Sequence, residues 1–157
     1  MNIIIYGTHY IKKDTFGDFN WMCNQVEYND SLFIFNDNEE NHNTNNYGIG
    51  NAIIRKYNKY NKTLSKPKSA GICTGTLKNK GYKELLEYNK NLIDNNIDEI
   101  KQLIEKYKYK DIYYSVGKNN KLGTSIFKVG EDVIDYINEQ ICKLSDLGVI
   151  ICDKVKK

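Results

Sequence analysis

The chain has 157 residues, 40% of them hydrophobic and 27% charged, with a formal net charge of +3. That length suits a single domain over 1–157, since a second core would be short of residues, and the composition is that of a folded chain. Lysines are interleaved with acids, so no basic block marks a nucleic-acid groove, and no apolar run reaches the length of a signal segment or a membrane span. A cytoplasmic protein without nucleic-acid or membrane partners is expected. Cys23, Cys73, Cys142 and Cys152 stand far apart, with only His9 and His42 as imidazoles, which argues for reduced thiols and against a zinc site or any other metal. The wealth of Asn, Lys, Ile and Tyr fits an AT-rich genome, such as that of a virus, a phage or a low-GC bacterium.

The first strand is expected over Ile3 to Tyr6, leaving through Gly7-Thr8-His9. Phe16 to Trp21 is compatible with a hairpin or with aromatics covering the sheet, and the residues do not separate the two. Ser31 to Phe35 reads as a central strand buried on both faces. It runs into a polar loop from Asn36 to Asn46, then Gly48-Ile49-Gly50-Asn51 and a helical stretch through Arg55. Pro67 leads into a strand over Ser69 to Cys73, followed by a glycine loop at Thr74-Gly75-Thr76. From Tyr82 to Tyr107 the apolar spacing predicts one long helix, or two parted near Asp94 to Asn96. Asp111 to Ser115 is a further strand, ahead of a third glycine-bearing loop around Gly117 and Gly123. A last helix follows over Glu131 to Leu144, then an edge strand over Val149 to Cys152. The alternation predicts an α/β fold with a mixed, mainly parallel central sheet between helical layers.

In such sheets ligands sit beyond the carboxyl ends of the strands, where the loops after Phe35, Cys73 and Ser115 converge. Glycine there lets backbone N–H groups approach phosphate oxygens, which makes Gly48, Gly50, Gly123 and Gly130 candidates, although each of them is equally able simply to turn the chain. Neither the Walker pattern nor the three-glycine dinucleotide fingerprint occurs. Asn36, Asp37 and Asn38 offer hydrogen bonds to a ribose or base, or else form a turn, and Asn51 faces the ligand or caps the helix. His42, in the most polar loop, is expected to be solvated. Tyr113 and Tyr114 alternate across the sheet, with one able to face a ligand. Cys73 has no evident base beside it, so covalent catalysis is not expected.

The runs Ser31-Leu-Phe-Ile-Phe-Asn-Asp-Asn38, Gly48-Ile-Gly-Asn-Ala-Ile-Ile-Arg55, Ser69-Ala-Gly-Ile-Cys-Thr-Gly75 and Leu122-Gly-Thr-Ser-Ile-Phe127 resemble a macro-domain-like protein of the small viral or phage type. The resemblance implies a three-layer α/β/α macro-like fold that binds ADP-ribose or a related, including cyclic, signalling nucleotide, as a reader or a sequestering protein, with no cofactor. Asn36 and Asn38 would fall near the distal ribose, with Asp37 between them among the ligand-binding residues. Gly48, Gly50 and Asn51 would form one glycine loop, and Gly123, Thr124, Ser125, Ile126 and Phe127 the other. The alternative it implies is a hydrolase of ADP-ribosyl linkages or ADP-ribose-1″-phosphate, with Asn38 or Asn51 positioning water. Against that, the glycine run is reduced here and Asn51 stands where an acid is expected. A non-catalytic protein-interaction domain is the third reading.

Overall fold

Six strands form one sheet in the order β4-β3-β2-β5-β1-β6 in a computed structural model that describes residues 2–124 and 127–154. The strands are β1 (Ile4–Thr8), β2 (Ser31–Asn38), β3 (Ser69–Thr76), β4 (Lys80–Gly81), β5 (Asp111–Ser115) and β6 (Val149–Ile151). All neighbours are parallel except β4, which turns back on β3 through Gly75 and Thr76. The helices are α1 (Phe19–Met22), α2 (Glu87–Tyr107) and α3 (Glu131–Cys142), with short 3₁₀ helices at Val26–Tyr28 and Gly50–Tyr57. The expected α/β fold, with helices on both faces of a mixed and mostly parallel sheet, is what forms.

Alternation along β2 builds two cores at once. Leu32 and Ile34 join α2 and α3 in one core, while Phe33 and Phe35 join Phe16, Phe19, Met22, Tyr28 and Ile54 in the other. Tyr113 and Tyr114 on β5 divide the same way, so both are core residues and neither faces a ligand. Phe33 and Tyr113 stack at 5.2 Å between ring centroids, and Phe19 tilts against Phe33 at 5.0 Å. The aromatics at Phe16 to Trp21 therefore cover the sheet from a short helix and form no hairpin. α2 carries no polar cap side chain at Leu86, so its position rests on burial of Ile93, Ile97, Ile100 and Ile104. At about 1.5–3 kcal/mol for each buried aliphatic side chain, that outweighs the roughly 1 kcal/mol of a missing cap.

Several expected boundaries shift. α2 is one helix, because Asn96 turns inward and its Oδ1 accepts the Cys73 N–H at 2.8 Å instead of breaking the helix. Asn36 to Asn38 belong to β2 rather than to a loop, and Thr74 to Thr76 belong to β3. Gly75 is glycine because a Cβ would lie 1.8 Å from the Lys80 carbonyl oxygen across the β3–β4 pair. The stretch after Gly48 is 3₁₀, with Ile49 rather than Asn51 at its N-cap.

Candidate functional site

The connections leaving β1 and β2 pass to the aromatic face of the sheet, and those leaving β3 and β5 pass to the α2–α3 face. Adjacent exits diverge at three places, and two of these open crevices, the first between β2 and β3 and the second between β1 and β5. A smaller cleft of about 350 Å³ lies at the first, lined by Asn36, Asp37, Asn38, Gly48, Arg55 and Phe127 among others. A larger one of about 890 Å³ lies at the second, with His9, Lys13, Asp18, Phe19, Gly50 and Lys118 in its wall. Asn51 and Thr124 line both, so the two clefts meet there.

Each described site candidate from the sequence except Gly130 lines at least one of these clefts. Asn36, Asp37, Asn38, Gly48 and Phe127 face the smaller, Gly50 and Gly123 the larger, and Asn51 and Thr124 both. Ser125 and Ile126 lie outside the described residues. Gly130 lines neither cleft: it is the N-cap of α3, and a Cβ on it would lie 2.1 Å from the Lys83 carbonyl oxygen.

Their local roles differ from one another. Asn36 Nδ2 donates to the Gly123 carbonyl at 2.6 Å and so ties the end of β2 to the loop after β5. Asn38 Oδ1 accepts from both the backbone and the side-chain nitrogen of Asn41, at 3.0 and 3.1 Å. Gly50 has φ +61°, a left-handed conformation that glycine adopts without strain. Gly123 is small for a reason internal to the chain, since a Cβ would sit 3.1 Å from the Val116 carbonyl carbon. The Asn51 side chain makes no hydrogen bond among the described residues.

Behind the smaller cleft runs a chain of charges that sequence reading missed. Arg55 Nε and Nη2 donate to Asp37 Oδ1 at 2.9 and 2.5 Å, and Arg55 Nη1 donates to the Asn46 carbonyl at 2.8 Å. Asp37 Oδ2 meets His42 Nδ1 at 2.9 Å, His42 Nε2 meets Glu99 Oε1 at 2.7 Å, and Lys59 closes the series on Glu99 at 3.5 Å. The side chains of Arg55 and Asp37 are 2% and 1% exposed, and that of His42 12%. His42 is therefore a largely enclosed link and not a solvated residue. Two carboxylates hold its ring where no apolar side chain does. Burial works against its charge, but the contacts with Asp37, Cys73 and Glu99 outweigh it and push His42 up to about 12. Glu99 is correspondingly lowered by His42 and Lys59 against the effect of its own burial. His42 does stand beside the Cys73 thiol, a neighbour the sequence does not show, and burial raises that thiol in spite of it.

Space for this chain comes from Gly71 on β3, whose missing Cβ would lie 2.3 Å from Asp37 Oδ2. The carboxylate thus crosses the sheet where β3 has no side chain, and it joins the Gly50–Tyr57 helix on one face to α2 on the other.

At the rim of the larger cleft, His9 Nδ1 meets Asp153 at 2.7 Å and His9 Nε2 meets the Gly117 carbonyl at 3.1 Å, linking the exits of β1, β5 and β6. The bond to Asp153 holds His9 above its ordinary value. Lys13, Lys80 and Lys118 line the clefts without an ion-pair partner among the described residues. No group of three or more His, Cys, Asp or Glu among the described residues is placed to hold a metal. No helix among them is long and apolar enough to cross a membrane.

No family model, curated protein or solved structure matches the chain. The residues and their geometry are thus what a functional reading rests on.

Proposed function

We propose that the protein binds ADP-ribose or a related signalling nucleotide, cyclic forms included, along the two joined clefts, as a macro-domain-like reader or sequestering protein. The observation that carries this is the junction at Asn51 and Thr124. There the turn at Gly50 and the loop after β5 face each other between two pockets of unequal size. A dinucleotide-like ligand has that shape, with two bulky ends and a charged waist. The waist meets the start of a 3₁₀ helix that no side chain caps. Lys13 and Lys118 on one side and Lys80 on the other, without ion-pair partners among the described residues, favour an anion. In the larger cleft Phe19, Ile53 and Ile54 give a base an apolar wall, and the smaller cleft takes the distal ribose beside Asn36 and Asn38.

Binding is favoured over hydrolysis. Asp37 is the only carboxylate among the described residues lining the smaller cleft, and both its oxygens are occupied by Arg55 and His42. The Asn38 carbonyl is taken up by Asn41. Neither group is free to activate water.

Calorimetric titration with ADP-ribose, AMP, NAD and cyclic ADP-ribose tests this on the natural chain and on Asn51→Ala and Lys118→Glu. Micromolar binding of ADP-ribose is expected, about tenfold weaker in either variant, as for loss of one hydrogen bond or reversal of one charge at a phosphate. Gly123→Val is the wrong probe, because its side chain would strike the Val116 backbone whether or not a ligand binds there. Absence of binding to all four would move the assignment to a protein-interaction domain. Turnover of ADP-ribosylated protein by catalytic amounts of the chain would overturn the preference for a reader.

A further inference from the structure

Arg55 is the only arginine in a chain with 23 basic residues. Lysine serves at every other basic position, so charge alone is not what position 55 requires; the planar, forked guanidinium is. Part of the requirement is structural, through the bonds to Asp37 and to the Asn46 carbonyl. Those bonds use three of the five guanidinium N–H groups and leave one on each terminal nitrogen. The residue lines the smaller cleft beside Gly48.

The charge around this wall does not balance. The charged side chains lining the smaller cleft are Asp37, Arg55 and Lys80. Asp37 serves both Arg55 and His42, and the second carboxylate on His42, Glu99, projects from α2 and does not line the cleft. Lys80 has no ion-pair partner among the described residues. Arg55 is thus matched by Asp37 and His42 by Glu99, and the charge left over at this cleft is that of the exposed Lys80. An anion entering the cleft would meet that charge together with the guanidinium N–H groups that Asp37 and the Asn46 carbonyl leave over.

We propose that the smaller cleft is a receptor for an anionic end group, a phosphate monoester, read by Arg55 at contact range with Lys80 at the rim. This rests on the nucleotide reading only for which part of a ligand enters, namely the end distal to the base. The same phosphate chemistry is offered by the free ion and by a phosphorylated nucleotide, and the two arms of the experiment separate them.

Because the arginine is unique, its side-chain Nε–H gives a single resonance in a ¹⁵N-labelled sample of the full chain. Inorganic phosphate, titrated against chloride at matched ionic strength, is expected to shift that resonance saturably in the millimolar range or below, and chloride is not. Lys80→Ala leaves the buried network intact and is expected to weaken the response several-fold. Arg55→Lys, with its fold checked by circular dichroism and binding followed at the Thr74 amide, is expected to lose about tenfold or more, since lysine lacks the fork. In the second arm, ADP-ribose-1″-phosphate is expected to bind about tenfold tighter than ADP-ribose, the worth of one charge-assisted contact. A phosphate response absent, or no different from that to chloride, overturns the receptor even if ADP-ribose binds. A saturable phosphate response in a protein that ignores ADP-ribose supports the receptor and removes the nucleotide reading instead.

Discussion

Arg55 and His42 share one carboxylate, and the strength of that arrangement follows from burial more than from the number of ion pairs. Lys121 and Asp135 form a pair at 2.7 Å, yet both are about half exposed, and such a pair is worth about 0–1 kcal/mol. Removing one member of the buried Arg55–Asp37–His42 chain leaves an uncompensated charge and costs about 3–5 kcal/mol. His42→Gln is therefore expected to lower the urea midpoint sharply. The loss also has a pH signature. An unfolded histidine titrates at its ordinary value of 6.5, while folded His42 is raised to about 12. A raised value means that the proton stabilises the fold fully below 6.5 and that this contribution is lost as pH climbs toward 12. Glu99 is lowered, so its contribution is present above its ordinary 4.5 and is lost as pH falls through the folded value. Urea midpoints of the natural chain and of His42→Gln should thus differ most near pH 6 and converge through about pH 8 and 10. A difference that stays constant over that range would show that His42 carries no proton in the fold. None of this was legible from the local sequence, because Glu99 lies 57 residues from His42 and only the fold brings them together. The solitary arginine, by contrast, is visible in the composition.

At the scale of elements, the strands were legible because apolar runs bounded by turn residues leave few alternatives, and β5 emerges with its expected ends. The boundaries that moved did so where polar residues stay in a strand. Asp37 remains in β2 because Arg55 and His42 satisfy it there, which a loop assignment based on Asn and Asp content does not foresee. Gly71 is the matching concession in β3. Gly71→Ala sets a methyl group 2.3 Å from Asp37 Oδ2, and an overpacked site of this kind costs about 1–3 kcal/mol. Since the damage is done through Asp37, it should not add to that of His42→Gln. A double-mutant cycle read by urea unfolding is expected to show a coupling of about 0.5–3 kcal/mol between the two. Simple additivity would mean that Gly71 serves the strand alone, without making room for the charge chain. The glycines that looked alike in sequence are separated by the same reasoning. Gly50 is set by its dihedral, Gly71, Gly75 and Gly123 by what lies against them, and only some of them border a cleft.

Across the whole molecule, the two cores are built on opposite sides of the same strands. Leu32 and Ile34 alternate with Phe33 and Phe35 on β2, and Tyr114 follows Tyr113 on β5, so neither helical layer keeps its half of the sheet if the other leaves. The Asp37 crossing adds a direct tie between the layers. One cooperative transition is expected, and the chain supplies separate reporters for its two faces. Trp21, the only tryptophan, sits in α1 and packs on the aromatic core, while most of the α-helical signal comes from α2 and α3 on the other face. Urea curves from Trp21 fluorescence and from far-ultraviolet circular dichroism should therefore superimpose. If the fluorescence change came first, the aromatic layer would be an independently melting unit. The 3₁₀ helix bearing Asn51 and Arg55 would then open while the rest of the sheet held, and the affinity of both clefts would depend on how often it does. Coincident curves would instead mean that both clefts persist as long as the sheet does, so that the ligand meets a site formed in advance and its affinity is not reduced by the population of an open state.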